Sequence, residues 1–189
     1  MGVGSIFQDK YDYENALINY KLASVSNPNS ALVWNNLGLC FFARQKYIAS
    51  TTCLKKAIYL DPFEWIISYN LGLVYLATNQ FCSAFHYMNC ASNYKNDFYL
   101  IYMYLGIILS QLSDIGNAIN YYDKALDLNK NYLIYYNYAV SLLNNDMYVN
   151  AQEMLNNCIE YYNSYRDPNT EYDNEIMEGI KIMNEKLNG

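Results

Sequence analysis

Apolar residues recur along the chain at intervals of three and four positions, in blocks separated by short polar stretches. Trp34, Leu37 and Phe41 share one helical face at this spacing, and Tyr47 and Leu54 share another face in the segment that follows. Proline or asparagine-rich stretches stand between the blocks, where helices tend to end. The pattern therefore predicts a series of amphipathic α-helices.

The blocks repeat with a nearly fixed period, marked by a small residue that follows a larger one. These pairs are Leu37-Gly38, Leu71-Gly72, Leu105-Gly106 and Tyr138-Ala139, at spacings of 34, 34 and 33 residues. A second segment opens after each pair, at Tyr47, Phe81, Ile115 and Tyr148. Small residues recur within it, at Ser50, Ala84, Ala118 and Ala151 and again at Ala57, Ala91, Ala125 and Cys158. Because two antiparallel helices approach closely only where side chains are small, so that the partner's backbone can pack there, each block is predicted to be a helical hairpin.

The hairpin pattern resembles the tetratricopeptide repeat (TPR) family. The residues that match its signature are Trp34, Leu37, Gly38, Phe41, Ala57 and Pro62. The resemblance implies an all-α fold, a TPR solenoid in which antiparallel helix hairpins form a right-handed superhelix with a C-terminal capping helix. The chain departs from the signature at Ser50, Ser68, Asn96 and Lys130, which concerns single turns and leaves the expected fold unchanged.

The period divides the chain into six segments. They are an incomplete repeat at residues 1–30, mostly its second helix, four repeats at 31–64, 65–98, 99–131 and 132–165, and a capping helix at 170–188. A turn is expected at residues 166–169, before the capping helix. The apolar face of that helix consists of Ile176, Ile180, Met183 and Leu187. Because the chain opens partway through a repeat, with Gly4 and Phe7 in phase for its first helix, we expect a fragment that lacks upstream repeats.

Composition and charge narrow the classes of partner. The chain has 12 basic and 18 acidic residues, a formal charge of −6, and no stripe of Lys or Arg that could neutralise a phosphate backbone. Nucleic acid is therefore not an expected partner. The cysteines are Cys40, Cys53, Cys82, Cys90 and Cys158. Because none stands at the two-residue spacing of zinc ribbons or redox pairs, we expect reduced thiols that act as small apolar fillers, no metal, and a cytosolic protein.

The most apolar stretch is residues 98–109. It falls well short of the ~20 residues that span a bilayer, and the period assigns it to the first helix of an interior repeat. Direct membrane insertion is therefore not expected.

Several stretches resemble one TPR family more closely, that of Bardet-Biedl syndrome protein four, which is a TPR subunit of the BBSome. They are residues 34–42, 53–65, 69–76, 83–88 and 137–142, with Phe63-Glu64-Trp65 and Phe85-His86 as the part that hairpin packing does not demand. The resemblance implies a scaffold that contacts other BBSome subunits and acts in the transport of membrane proteins into and out of cilia. It also implies a cytoplasmic location, including the ciliary base, basal body, pericentriolar region and cilium.

The first helices of TPR proteins line a concave surface, which is the candidate partner-binding groove. Its residues are Asn35, Asn36, Leu39, Phe42, Tyr69, Asn70, Leu73, Met103, Tyr104, Ile107, Tyr136, Asn137 and Val140. None is charged, so the basic side chains with which some TPR adaptors clamp the acidic C-termini of chaperones are absent. We expect an apolar helix or extended segment of another subunit to bind there, while packing of these side chains against neighbouring helices is the alternative.

Catalysis is not expected. His86 is the only histidine and falls on a second helix, and the sequence contains no nucleophile motif and no glycine-rich phosphate loop. No cofactor is predicted, and His86 is expected at a surface or interface. Two other functions remain open: a generic TPR adaptor for chaperones or for another multi-subunit assembly, and the accessory TPR region of an enzyme whose catalytic part lies outside this chain.

Overall fold

The amphipathic pattern folds into α-helices. The computed structural model describes residues 12–165 and 173–188, and every regular element within these ranges is helical. The helices are α1 Asp12–Ser26, α2 Ala31–Ala43, α3 Tyr47–Leu60, α4 Trp65–Ala77, α5 Phe81–Tyr94, α6 Tyr99–Gln111, α7 Ile115–Leu128, α8 Tyr132–Leu143, α9 Tyr148–Tyr165 and α10 Asp173–Asn188. The predicted all-α class is confirmed. The turn expected at residues 166–169 and the residues Gly4 and Phe7 lie outside the described ranges.

Contacts between helices divide the chain into two compact units, Met1–Asn96 and Asp97–Gly189. In the first unit, α2 pairs with α3 and α4 pairs with α5, while α1 packs on α2 and α3 packs on α4. In the second unit, α6 pairs with α7 and α8 pairs with α9, and α10 packs on α8 and α9. The predicted helical hairpins are thus present in both units.

A glycine of the first helix faces one large side chain of the second helix in three hairpins. The pairs are Gly38 with Leu54, Gly72 with Met88 and Gly106 with Tyr122. A Cβ atom at Gly106 would lie 2.8 Å from Cε2 of Tyr122, so a larger residue would overlap the ring. The expectation that the partner's backbone fills this space is wrong at Gly72 and Gly106, because the three nearest atoms there all belong to the facing side chain.

The small residues of the second helices lie in the interior, as predicted. Each is 0% exposed: Ser50, Ala84, Ala118, Ala151, Ala57, Ala91, Ala125 and Cys158. A larger side chain at these positions would push the paired helices apart. Ser50 departs from the alanine of the equivalent positions, and its Oγ is buried without a hydrogen-bond partner in the described part of the chain.

The turn inside each hairpin contains one residue in the left-handed conformation. The φ angles are 57° at Gln45, 56° at Asn79, 62° at Ser113 and 60° at Asp146. In the first of these turns, the N–H of Gln45 donates to the carbonyl of Phe42 at 2.8 Å, and the N–H of Lys46 donates to the carbonyl of Phe41 at 2.9 Å. This is the Schellman arrangement, which satisfies the last carbonyl groups of a helix, and the same two bonds recur in the other three turns.

The apolar face predicted for the final helix is confirmed. Its residues Ile176, Ile180, Met183 and Leu187 lie in or against one cluster of buried side chains. The neighbouring helices α8 and α9 supply Tyr135 and Leu155 to that cluster. Gly179 of α10 lies so close to Tyr136 of α8 that a Cβ atom there would overlap the phenol oxygen. α10 therefore covers the last hairpin through an apolar stripe and one close contact.

The apolar stretch at residues 98–109 belongs mostly to α6. Ile101, Leu105 and Ile108 on this helix are fully buried, as expected for the first helix of an interior hairpin. Across residues 12–165 and 173–188, no helix combines the length and the apolarity that crossing a membrane requires.

Candidate partner-binding surface

The residues predicted to form the groove lie on α2 and α4 in the first unit and on α6 and α8 in the second; we call them the first-helix surface. The chain itself buries Asn35, Tyr69, Asn70, Leu73 and Met103. The remaining members are half-buried: Asn36, Leu39, Phe42, Tyr104, Ile107, Tyr136, Asn137 and Val140. Only this second group offers side-chain area that another molecule could cover.

Asparagine side chains link three helices of the first unit. The Nδ2 of Asn70 on α4 donates to Oδ1 of Asn35 on α2 at 2.9 Å. Asn35 donates in turn to Oδ1 of Asn36 at 3.2 Å, and Asn36 donates to the hydroxyl of Tyr20 on α1 at 3.3 Å. The buried amides are thus paired, which avoids the cost of removing them from water unpaired. Sequence reasoning missed the role of Tyr20, which lies outside the first helices.

In the second unit, the asparagine side chains make different contacts. The Nδ2 of Asn137 donates to the carbonyl of Leu133 on its own helix at 2.8 Å and lies 3.9 Å from the sulfur of Met103. Nearer the end of these helices, Asn145 donates to Oγ of Ser110 at 3.2 Å. Asn137 on α8 and Asn145 in the turn after α8 therefore both make polar contacts to α6, and only Asn137 was predicted from the sequence.

α10 covers part of the first-helix surface in the second unit. Tyr136 and Val140 of α8 pack against the cluster that contains Ile180 and Met183. Burial raises the pKa of the Tyr136 phenol above its ordinary value, with the nearby thiol of Cys158 as a smaller cause. The capping helix thus contacts Tyr136, one of the residues predicted to form the groove.

The first-helix surface is uncharged at every one of its positions. In the first unit, Leu39 and Phe42 supply its apolar part, and the Phe42 ring lies 6.0 Å from the ring of Tyr47. An apolar segment could cover such a surface without burying an unpaired charge.

An exposed aromatic pair lies outside the first-helix surface. Phe63, between α3 and α4, is 70% exposed, and Tyr94 at the end of α5 is 54% exposed. Their ring centroids are 5.9 Å apart at an interplanar angle of 77°. Phe63 stands out in the sequence only through a family resemblance; its position directly after Pro62, outside both helices, was the available signal of exposure. The pair is a second exposed apolar area of the first unit.

The cysteines fall into two groups. Cys40, Cys53 and Cys158 are buried fillers, as predicted, and burial raises the pKa of the Cys53 thiol to about 11. The prediction is wrong for Cys82, which is exposed, and for Cys90, which is only half-buried. Cys82 follows the first residue of a second helix, a position that points to solvent because the helix buries its other faces. His86 is exposed, which confirms its expected surface position.

Known proteins resemble this chain in sequence and in fold. Residues 31–64 and 100–132 match the tetratricopeptide repeat family. BBSome complex member BBS4 of Mus musculus is 43% identical over 67 residues, which are 35% of this chain and 13% of the mouse protein. BBS4 of Xenopus tropicalis is 50% identical over 50 residues, which are 26% of this chain and 10% of that protein. The chain thus matches only a small part of the length of these relatives.

A solved structure shares the fold at lower sequence identity. MamA from Desulfovibrio magneticus RS-1, residue 41 to its end, has a TM-score of 0.77 and 19% identity, and the match covers 84% of this chain and 90% of that structure. Likeness at this identity concerns the fold alone. The hairpins built around Gly38 and Gly106 therefore match the tetratricopeptide repeat, and the chain that carries them is similar in sequence to BBS4.

Proposed function

We propose that this chain is a non-catalytic scaffold of a BBSome-type assembly, where it acts in the transport of membrane proteins to and from cilia. Its partners are other BBSome subunits, which bind through an apolar helix or an extended segment. It works in the cytoplasm, at the ciliary base and basal body, in the pericentriolar region and in the cilium, and contributes to cilium biogenesis in association with the cytoskeleton. Neither nucleic acid nor insertion into a membrane is part of its action.

The similarity to BBS4 is the observation that carries this proposal. A structure with the same fold is 19% identical over an alignment that covers 84% of this chain, whereas mouse BBS4 is 43% identical over a shorter stretch of 67 residues. The hairpin fold alone therefore does not account for the sequence identity to mouse BBS4. Because the matched stretch is a small part of each relative, the activity and partners of those whole proteins are extended to this chain as a proposal only.

The first-helix surface supports a partner of low charge. Leu39 and Phe42 in the first unit and Ile107 in the second are half-buried, so a partner segment that covers the apolar residues of either unit would remove further apolar area from water. Anchors of this kind supply affinity when they enter a well-packed contact. The repeat positions of these residues would place a helix or extended segment along successive first helices within a unit.

Recovery of partners from ciliated cells tests the proposal. The chain, expressed with an affinity tag, should recover BBSome subunits, and Leu39→Lys should lower that recovery because it weakens the binding about tenfold, equivalent to about 1.4 kcal/mol. Ile48→Lys is the matched control, because Ile48 is 87% exposed on α3 and outside the first-helix surface. Circular dichroism of both variants should show unchanged helix content, since a lysine at a half-buried position can extend its ammonium group into water.

The outcomes separate three possibilities. Failure to recover any BBSome subunit contradicts the assembly. Equal recovery with both variants keeps the assembly but removes the first-helix surface as its contact. Tight, salt-sensitive binding of a peptide that ends in an acidic carboxylate would instead favour a chaperone adaptor, because such binding depends on charge that salt screens.

A further inference from the structure

Two potential metal ligands lie next to each other on α5, outside the first-helix surface. His86 is exposed and Cys90, four residues later, is half-buried. Residues at this spacing project from the same face of a helix. The sulfur of Cys90 lies 3.9 Å from Nε2 of His86, so the thiol and the imidazole already face each other in the folded chain.

This separation is close to the one that a tetrahedral zinc ion imposes on its ligands. With Zn–S near 2.3 Å and Zn–N near 2.0–2.1 Å, tetrahedral angles place the sulfur and nitrogen about 3.6 Å apart. The observed 3.9 Å differs from this by a few tenths of an ångström, which a small side-chain rotation supplies. The ring of His86 also meets the ring of Tyr87 edge to face, with centroids 5.0 Å apart, which limits its rotation.

We infer that His86 and Cys90 form a two-ligand site for Zn²⁺ or a similar borderline-soft divalent cation. Binding replaces two of the waters of the ion by Nε2 and by the thiolate sulfur, and the thiol proton passes to solvent. Thiolate and imidazole suit zinc, whereas calcium and magnesium require oxygen ligands. The helix itself has no Lys or Arg that would repel a cation.

The site is open on its outer side. Within the described part of the chain, no group of three or more His, Cys, Asp or Glu side chains could hold one ion together. Two of the four positions of a tetrahedral ion therefore remain for water or for a group of a second molecule. Such a site binds metal more weakly than a closed structural site, and its bound ion stays reactive toward an added ligand.

Metal titration of the reduced, full chain tests the inference. Zn²⁺ should bind with one ion per chain by calorimetry, and Co²⁺ used in its place should give the charge-transfer absorption of a cobalt–thiolate bond. His86→Ala and Cys90→Ser should each weaken Zn²⁺ binding about tenfold or more. Zn²⁺ should also raise the melting temperature of the parent chain, because a ligand that binds only the folded state stabilises it.

Cys82→Ser is the matched control. Cys82 also stands four residues from His86 on α5 and is exposed, but the short contact of His86 is with Cys90. Binding should therefore survive in Cys82→Ser, and the buried Cys40, Cys53 and Cys158 remain in every variant. Loss of binding in Cys82→Ser, or parental binding in Cys90→Ser, would overturn the assignment, as would the absence of the cobalt–thiolate band.

Discussion

At the scale of single residues, the hairpins depend on glycines, which have no Cβ atom and so leave room for the facing side chain. Gly106→Ala would place a methyl group 2.8 to 2.9 Å from three ring atoms of Tyr122. That ring cannot easily move, because it stacks on Tyr138 at 4.7 Å and its hydroxyl lies 2.8 Å from Oγ of Ser141. We expect the substitution to lower the free energy of unfolding by about 1–3 kcal/mol, measured by urea denaturation.

Gly116→Ala is the control for this prediction. Gly116 lies on α7, and a Cβ atom there would meet nothing within 4 Å. Alanine should therefore stabilise the helix by up to ~1 kcal/mol through its higher propensity. Gly72→Ala should cost less than Gly106→Ala, since the facing Met88 side chain is flexible. Equal losses at Gly106 and Gly116 would show that helix propensity, and not the ring, decides the outcome.

The buried hydroxyl of Ser50 gives a second residue-scale prediction. Its Oγ has lost water and has no partner among the described residues. Ser50→Ala removes this oxygen and leaves the residue type that the equivalent positions carry. We expect the free energy of unfolding to rise by about 1 kcal/mol in thermal or urea denaturation.

Ser141→Ala tests the same reasoning with the opposite sign. The Oγ of Ser141 is also buried, but it is hydrogen-bonded to the hydroxyl of Tyr122. Its removal should lower stability by about 1 kcal/mol, because the phenol loses a buried partner. If both serine substitutions changed stability in the same direction, pairing of the hydroxyl would not be the cause.

At the scale of the helices and turns, the four residues in the left-handed conformation are positions where a substitution could raise the stability. None of them is glycine, although glycine adopts positive φ without a steric penalty. Ser113→Gly should therefore raise the free energy of unfolding by about 0.5–1 kcal/mol, measured by urea denaturation. Asn120→Gly, at an exposed position in the middle of α7, should instead lower it by about 0.3 kcal/mol, because a helix interior disfavours glycine. Destabilisation by Ser113→Gly would contradict the assigned turn geometry.

The helices could be predicted from the sequence because their constraints are local and repeated. Small residues recur wherever the second helix must approach the first, and α3 and α5 begin at the predicted Tyr47 and Phe81. The left-handed turns were not predicted, since Gln45 and Ser113 lack the usual glycine signal. Only Asn79 and Asp146 are residue types that adopt this conformation with some frequency.

The first-helix surface could be predicted only in part. Periodicity assigns a residue to one face of a helix, but it does not tell whether a neighbouring helix covers that face. Asn70 is buried and pairs with Asn35, 35 positions earlier, a contact that no local pattern encodes. Tyr136 is contacted by Gly179 of a helix that stands outside the repeat pattern. Partner binding by the surface stays a prediction.

At the scale of the whole molecule, buried thiol and phenol groups in the two units make the stability depend on pH. Burial raises the pKa of Cys53 in the first unit to about 11 and that of Cys158 in the second unit to about 12, from an ordinary value of 9.0. Burial also raises the pKa of the Tyr122 phenol, although its bond to Ser141 opposes the shift. The folded chain therefore holds these protons to higher pH than the unfolded chain does.

This difference predicts a loss of stability in alkaline solution. Below pH 9.0 the Cys53 thiol is protonated in both states; between pH 9.0 and about 11 the unfolded chain releases its proton while the folded chain keeps it. Since the folded state then binds more protons, the free energy of unfolding must fall as pH rises, by about 1–2 kcal/mol for this group. Urea denaturation of the reduced chain between about pH 8 and pH 11 measures the slope. Cys53→Ala should start from a lower stability and lose less of it over that interval, whereas a slope equal to that of the parent would show that the thiol ionises alike in both states.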